Sequence, residues 1–403
     1  MNDVHDSALD SPTSWVIAGL GLLLLVLIWG LVFTFTVYSA ALGDAFGLSS
    51  LRVSSVFSFT TALFYIAGGA IGVLIARVPL RPVVAAAGVA LAVAVGLLQI
   101  TSSYLGLVGA FALLGIAGGA TFVIVISLVP QWFDRYEGRA MGITMTGNGL
   151  AILVLPPVWV WLLDRTGIRT AFLVVGGATV AVLLAASLVY RRPPGRRSGA
   201  ASPVDATWLR RNVVDRSFLA ALAGFSFLWS WYFVLSADLV GILTAGGIAR
   251  GVAATAFGIV GGVSVAARVA SGEFADRIGL RTTFTAGVVL GGIALWALPA
   301  IGARLPMYGL LVAFGVGLGA IAPLFSPIVI GRFGPQNATA LVGLFTISQA
   351  VTAFLVPIGL NLLRGLVGGY AVPLFLIGGL TLLGGGLFYR GTAPTEKPAS
   401  TDP

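Results

Sequence analysis

The chain has 403 residues, 58% of them hydrophobic and only 9% charged, with 23 basic against 14 acidic side chains and a net charge of +9. An average soluble chain is about one quarter charged, so a soluble domain of this size would lack the polar surface it needs. At ~20 apolar residues per helical bilayer crossing, the composition leaves room for about twelve crossings and little else. A cytosolic enzyme, a nucleic-acid binder and a disordered protein are thereby excluded.

Residues 1–14 form a polar tail with Asp3, Asp6, Asp10 and the chain's single histidine, His5. The first apolar run extends from Trp15 to about Tyr38. No basic residue precedes it, so it reads as a retained helix rather than a cleaved signal. Further runs cover about Ser50–Ile75, Pro82–Thr101, Tyr104–Val129, Arg139–Leu163 and Thr170–Tyr190. Residues 191–216 are polar and rich in Pro, Gly, Ser and Arg, and read as a linker. Six more runs follow, at about Ser217–Leu243, Gly251–Ala275, Thr282–Ile301, Pro306–Ile330, Ala338–Leu362 and Tyr370–Tyr389, before a polar tail from 391 to 403. Long continuous runs, rather than alternation, exclude a transmembrane β-barrel. The expected fold is an all-α membrane protein with twelve transmembrane helices in two pseudo-symmetric six-helix bundles, residues 15–190 and 217–390.

Six crossings on either side of a linker put both termini on one side. If that side is the cytoplasm, its loops hold 16 of the Arg and Lys residues against 6 on the other side, with Arg268 left inside a run. The positive-inside rule makes this split a topology signal, so the basic balance needs no nucleic-acid partner. Glycine, at 55 residues, recurs with the four-residue spacing that lets helices approach closely, as in Gly115 with Gly119 and Gly258 with Gly262. Without cysteine there is no thiolate metal site or thiol nucleophile, and a lone tail histidine supplies neither a zinc site nor a Ser-His-Asp triad. An internal repeat supports the two halves. Gly72, Arg77, Arg81, Phe133 and Pro157 recur as Gly272, Arg277, Arg281, Phe333 and Pro357, each 200 positions later.

The stretch from Gly272 to Arg281, with Asp276, Arg277, Gly279 and Arg281, resembles the short cytoplasmic loop signature of the major facilitator superfamily, G-x-x-x-D-R-x-G-x-R. Its glycines suit a tight turn, and its Asp and Arg suit a link between neighbouring helices that would gate the cytoplasmic side. The first copy keeps Gly72, Arg77 and Arg81 but has Ala76 and Pro79 in place of Asp and Gly, which makes it the weaker latch. Gly118-Gly119, Trp132-Phe133, Gly138 to Gly142, Pro156-Pro157 and Gly167 to Phe172, with Tyr38-Ser39 and Phe46 to Ser49 near the start, resemble the monocarboxylate transporter and oxalate/formate antiporter group.

Arg268 is the sharpest chemical feature. It lies eight residues before Asp276, about 12 Å along a helix and so close to the middle of a ~30 Å core. A cation there costs at least ~2.5–3.5 kcal/mol and cannot shed its proton, so it needs an anion or strong acceptors. The small neighbours Gly261, Ser264 and Ser271 leave space, and a guanidinium matches a carboxylate bidentately. In the resembled group an arginine in this helix binds the substrate carboxylate. The alternative is a structural arginine paired with a helix end or with Asp238. Four residues before Arg268, where proton-coupled relatives often carry Asp, stands Ser264. Asp238 is a candidate proton site or outer-gate residue, or an interfacial acid with no part in transport.

The run from Ala338 to Leu362 contains no Lys or Arg, whereas the resembled antiporters for oxalate carry a second cation there; one arginine suits a monoanion. Asn148 and its counterpart Ser348, together with Gln349, are candidate partners for a hydroxyl or keto oxygen, or else helix–helix glue. Tyr38 is a candidate cavity wall. The expectation is a secondary transporter, not an enzyme, moving a small organic anion such as a monocarboxylate by alternating access. Its coupling partner would be a proton or a counter-anion, by symport or antiport, and its surroundings membrane lipid. No G-x-x-x-x-G-K-[ST] loop is present, so neither ATP nor any other cofactor or metal is expected. The expected location is a bacterial plasma (inner) membrane, with both termini cytoplasmic. A facilitator or exporter of a neutral or amphipathic compound, and a transport-dead sensor on the same fold, are the competing readings.

Overall fold

The computed structural model describes residues 9–74, 79–193, 214–300, 304–334 and 338–393. In chain order its helices are α1 (Pro12–Val32), α2 (Phe35–Phe46), α3 (Ser50–Leu74), α4 (Leu80–Ile100), α5 (Tyr104–Leu128), α6 (Glu137–Thr166) and α7 (Ile168–Val189). Then follow α8 (Arg216–Leu228), α9 (Ser230–Ala245), α10 (Arg250–Ile278), α11 (Leu280–Ala297), α12 (Arg304–Phe333), α13 (Ala338–Val367) and α14 (Ala371–Gly391). Among the described residues there is no strand, and twelve stretches are long and apolar enough to cross a membrane. Helices α1–α7 make the N-half and α8–α14 the C-half. Most of the 191–216 linker lies outside the described residues.

The two crossings that open the halves are broken. The run that opens at Trp15 does not stop at Tyr38 but continues as α2 to Phe46, after a break at Phe33 and Thr34. Thr34 has φ −95° and ψ 20°, off the helical region, and its hydroxyl donates back to the Gly30 carbonyl, a bond that bends helices. The seventh crossing breaks at Trp229 (φ −82°, ψ −3°), between α8 and α9. Aromatic, uniformly apolar sequence hides both breaks from a hydropathy reading.

Among the described residues three helix pairs make the main contacts between the halves: α6 with α10, α3 with α13, and α2 with α9. The α6–α10 seam is backbone on backbone. A Cβ at Gly261 would lie 2.4 Å from the Gly149 carbonyl oxygen, so a side chain there would force the helices apart. Prolines shape the same seams. Pro157 and Pro357 have no N–H, so the carbonyls of Leu153 and Ala353 lose their helical donors. Both carbonyls meet the other half. Gly258 comes so close to the first that a Cβ would lie 3.1 Å from its oxygen, and the Thr61 hydroxyl donates to the second at 3.2 Å. The five-pair repeat thus has a structural counterpart in two seams related by the same offset.

Twelve crossings put residues 9 and 393 on one side, called here the terminal side. Cross-half side-chain hydrogen bonds of α1–α3 with α9 and α13 fall at mid-depth or toward the opposite side: Trp29 to Tyr232, Thr36 with Val240, Ser54 with Asn361, and Thr61 with Ala353.

Candidate functional site

Arg268 sits on α10, ten residues before its end at Ile278, or about 15 Å along the axis. Its Nη1 donates to the main-chain carbonyl of Met145 on α6, 2.7 Å away and in the other half. Its Nε is buried without a partner, and among the described residues no acidic side chain comes within ion-pair distance of it. The pairing with Asp238 weighed from sequence is not found, because that carboxylate is engaged elsewhere. A cation with one carbonyl acceptor is undersatisfied for its five donors.

Around it the halves contribute complementary groups. Asn148, one turn beyond Met145 on α6, is 6% exposed, and its Oδ1 is buried without a partner. Its neighbour Gly149 abuts Gly261 and Ser264 of α10. The Ser264 hydroxyl is spent on the Gly261 carbonyl at 2.7 Å, so Ser264 supplies close packing rather than a free donor. A buried aromatic cluster also spans the halves. Trp29 donates from Nε1 to the Tyr232 hydroxyl at 3.0 Å and stacks on Phe33 with ring centres 4.6 Å apart. Trp29 also meets Phe122, and Tyr232 meets Trp229, whose Nε1 is a second buried donor without a partner.

The other candidates are dispersed. Ser348 donates to the Phe345 carbonyl, and its own carbonyl accepts from Ser226, so its polar groups serve the α8–α13 contact inside the C-half. Gln349 follows it on α13 and is buried. Tyr38 stands apart: its ring packs on Trp159 and Phe172 at 4.8 and 4.9 Å, and its hydroxyl donates to the Leu31 carbonyl. It belongs to the N-half core. Asp238, on α9, accepts from the Asn361 amide at 2.6 Å.

The loop signature divides in the same way. Gly279 has φ +92°, a conformation suited to glycine, and it turns the chain between α10 and α11. Arg281 donates to the Tyr389 carbonyl and lies 4.1 Å over that ring, tying α11 to α14. Arg277 pairs with Glu273 of its own helix, both about two-thirds exposed, so it links no helices. Asp276 is exposed and has no partner among the described residues. Gly272 is open; Gly72 packs α3 on Val123 of α5. Arg81 is exposed, and Arg77 lies outside the described residues. Sequence reasoning missed Met145, Trp229, Asn361 and Ser54. Met145 offers only a carbonyl, which every residue has. Asn361 could have been found by the rule that found Asn148, a buried amide in an apolar run.

Two six-helix halves that meet along paired seams, with a cation at mid-depth on one of them, match the two-repeat plan of a transporter. The sequence profile of the Major Facilitator Superfamily matches residues 18–357, and the chain belongs to that family. It is similar to monocarboxylate transporter 11 of Homo sapiens, 26% identical over 398 residues covering 95% of this chain and 83% of the relative. Monocarboxylate transporter 13 of Bos taurus is 25% identical, with 96% and 93% covered. Among solved structures, a peptide transporter in complex with sulfate superposes with a TM-score of 0.75 at 16% identity, covering 96% of both chains. A nucleoside transporter superposes with a TM-score of 0.74 at 13% identity, covering 93% of this chain and 98% of its own. The protein is a multi-pass integral membrane transporter and not an enzyme.

Proposed function

We propose that the protein carries a small organic anion, a monocarboxylate, with Arg268 as the carboxylate anchor. The observation that carries this reading is the Arg268 guanidinium, held between the halves with a single carbonyl acceptor and a free Nε. A carboxylate would supply the missing acceptors and neutralise the charge, and both the site's position and the names of the relatives support it. Asn148 Oδ1 accepts from a substrate hydroxyl, and Trp29, Tyr232 and Phe122 enclose its apolar part. The halves alternate about this point, with both termini in the cytoplasm of a bacterial inner membrane. The coupling partner is a proton or a counter-anion.

The Arg268–Met145 bond also favours a second reading, in which Arg268 is a clamp between α6 and α10 in a carrier of neutral compounds. Uptake of radiolabelled monocarboxylates into proteoliposomes, together with the melting temperature, separates the two. An anchor predicts that Arg268→Ala folds normally and transports no carboxylate, and that Arg268→Lys binds more weakly because it loses the fork geometry. Full uptake by folded Arg268→Ala protein would sink the anion reading.

A further inference from the structure

On the side opposite the termini the halves meet at a polar junction built around Asn361 of α13. The Asn361 Nδ2 lies 2.6 Å from Ser54 Oγ on α3, in the N-half, and 2.6 Å from Asp238 Oδ2 on α9, in the C-half. An amide nitrogen has two hydrogens, and here each goes to a different half. The same nitrogen is 3.4 Å from the Pro357 carbonyl, a weaker contact, while Asn361 Oδ1 is buried without a partner. Two residues beyond Asp238, the main-chain N–H of Val240 donates to Thr36 Oγ1 at 2.8 Å, a second bond between the halves. Arg364 and Tyr370 flank the carboxylate from α13 and the start of α14. Tyr370 faces Asp238 across Gly241, where any Cβ would lie 3.1 Å from the tyrosine hydroxyl. Among the described residues Asp238 is the sole acidic side chain in the middle of a helix rather than near its ends, and it is half-buried.

We propose that Asn361 is the positioning residue that latches this side shut, and that Asp238 acts through it by fixing one amide N–H so that the other points at Ser54. The proposal rests on the transporter reading, since alternating access requires this side to open, but it is independent of the substrate. Opening separates α3 from α13 and so breaks the Ser54–Asn361 bond, while the Asp238–Asn361 bond stays within the C-half. Asp238 therefore holds the amide oriented through the cycle, and the latch re-forms without a search over amide rotamers. On this account an acceptor oxygen at position 238 is required, and its charge is not.

The chain has no cysteine, so a single thiol can report on the seam without substrate. Ser58 is fully buried, on the α3 face between Ser54 and Thr61, and its hydroxyl has no partner, so Ser58→Cys places a small reporter behind the latch. The measurement is the rate of labelling by an impermeant maleimide on purified, folded protein in the Ser58→Cys background. Asn361→Leu, Ser54→Ala and Asp238→Leu should each label roughly three-fold faster, the population change expected from losing one interhelical hydrogen bond. Asp238→Asn, which keeps an acceptor oxygen, should label at the reference rate. Unchanged labelling in both Asn361→Leu and Ser54→Ala would overturn the latch. Equal acceleration by Asp238→Asn and Asp238→Leu would overturn the positioning role and assign the effect to charge. Should Asn361→Leu fail to fold, Ser54→Ala removes one oxygen from the other half and gives the same reading. Carboxylate uptake plays no part in this assay, so a failed anion reading leaves its outcome interpretable.

Discussion

The hydroxyl of Thr61 lies 3.2 Å from the carbonyl of Ala353, the oxygen that Pro357 leaves without a helical donor. A proline defect in the C-half is thus satisfied by a side chain of the N-half, and the defect becomes a docking point. Thr61→Val, similar in shape but without the hydroxyl, should cost about 0.6 kcal/mol, the mean for polar contacts between membrane helices. In a Pro357→Ala background the helix can supply its own donor, and Thr61→Val should then cost close to nothing. Thermal unfolding of the four proteins in this cycle is the measurement. Equal losses in both backgrounds would show that the hydroxyl serves α3 alone, through its 2.9 Å bond to the Phe57 carbonyl.

Topology is open to the same thiol chemistry. Ser198 falls in the linker and Ser103 at the cap of α5, and the charge asymmetry predicts Ser198 in the cytoplasm and Ser103 outside. In whole cells an impermeant reagent should label Ser103→Cys and spare Ser198→Cys. The reverse pattern would invert the protein in the membrane.

Within the loop signature, position decides which residue matters for stability. Arg281 bridges α11 and α14, whereas Arg277 meets only Glu273 on an exposed helix face. An exposed pair of this kind contributes roughly 0.3–0.5 kcal/mol. Arg281→Gln should therefore lower the melting temperature clearly more than Arg277→Gln. Asp276 has no partner among the described residues, so Asp276→Asn should leave the melting temperature unchanged. Its effect should appear only in transport, where it should slow the cycle more than Arg77→Gln does. A large stability loss in Asp276→Asn would show that the residue is a structural bridge in this state.

How much of this could be read from sequence follows from what each feature costs. The crossings and Arg268 stand out because apolar runs and a mid-run cation have few alternative explanations. The loop motif announced its turn at Gly279, but not that Arg277 would pair within its own helix and Arg281 with Tyr389. Tyr38 was indistinguishable from a cavity-lining aromatic, since an apolar run gives no sign of which face meets the bundle core. The Ser54–Asn361 junction spans 307 positions, and nothing in either run specifies that the second and eleventh crossings meet. Asp238 stands out in the sequence as an acid within an apolar run, but its partner Asn361 lies 123 positions away and no pattern in either run joins them.

Asn148 distinguishes a substrate group from helix glue without reference to Arg268. Its Oδ1 is buried on α6 with no donor, one turn from the carbonyl that holds Arg268. A buried oxygen left unsatisfied costs about 1–3 kcal/mol. If the protein keeps that oxygen for a substrate hydroxyl, then Asn148→Leu, close in volume and without polar atoms, should hold or raise the melting temperature. The same change should raise KM for hydroxylated monocarboxylates by roughly ten-fold, the loss expected for about 1.4 kcal/mol of binding, and should leave unsubstituted monocarboxylates less affected. Helix glue predicts the opposite pair, a lower melting temperature with the ratio of KM values between the two acids unchanged. Both quantities come from one preparation, the first by thermal unfolding and the second by proteoliposome uptake. A destabilised Asn148→Leu protein that still ranks the two acids as the parent does would remove Asn148 from the site and leave Arg268 as its sole polar anchor.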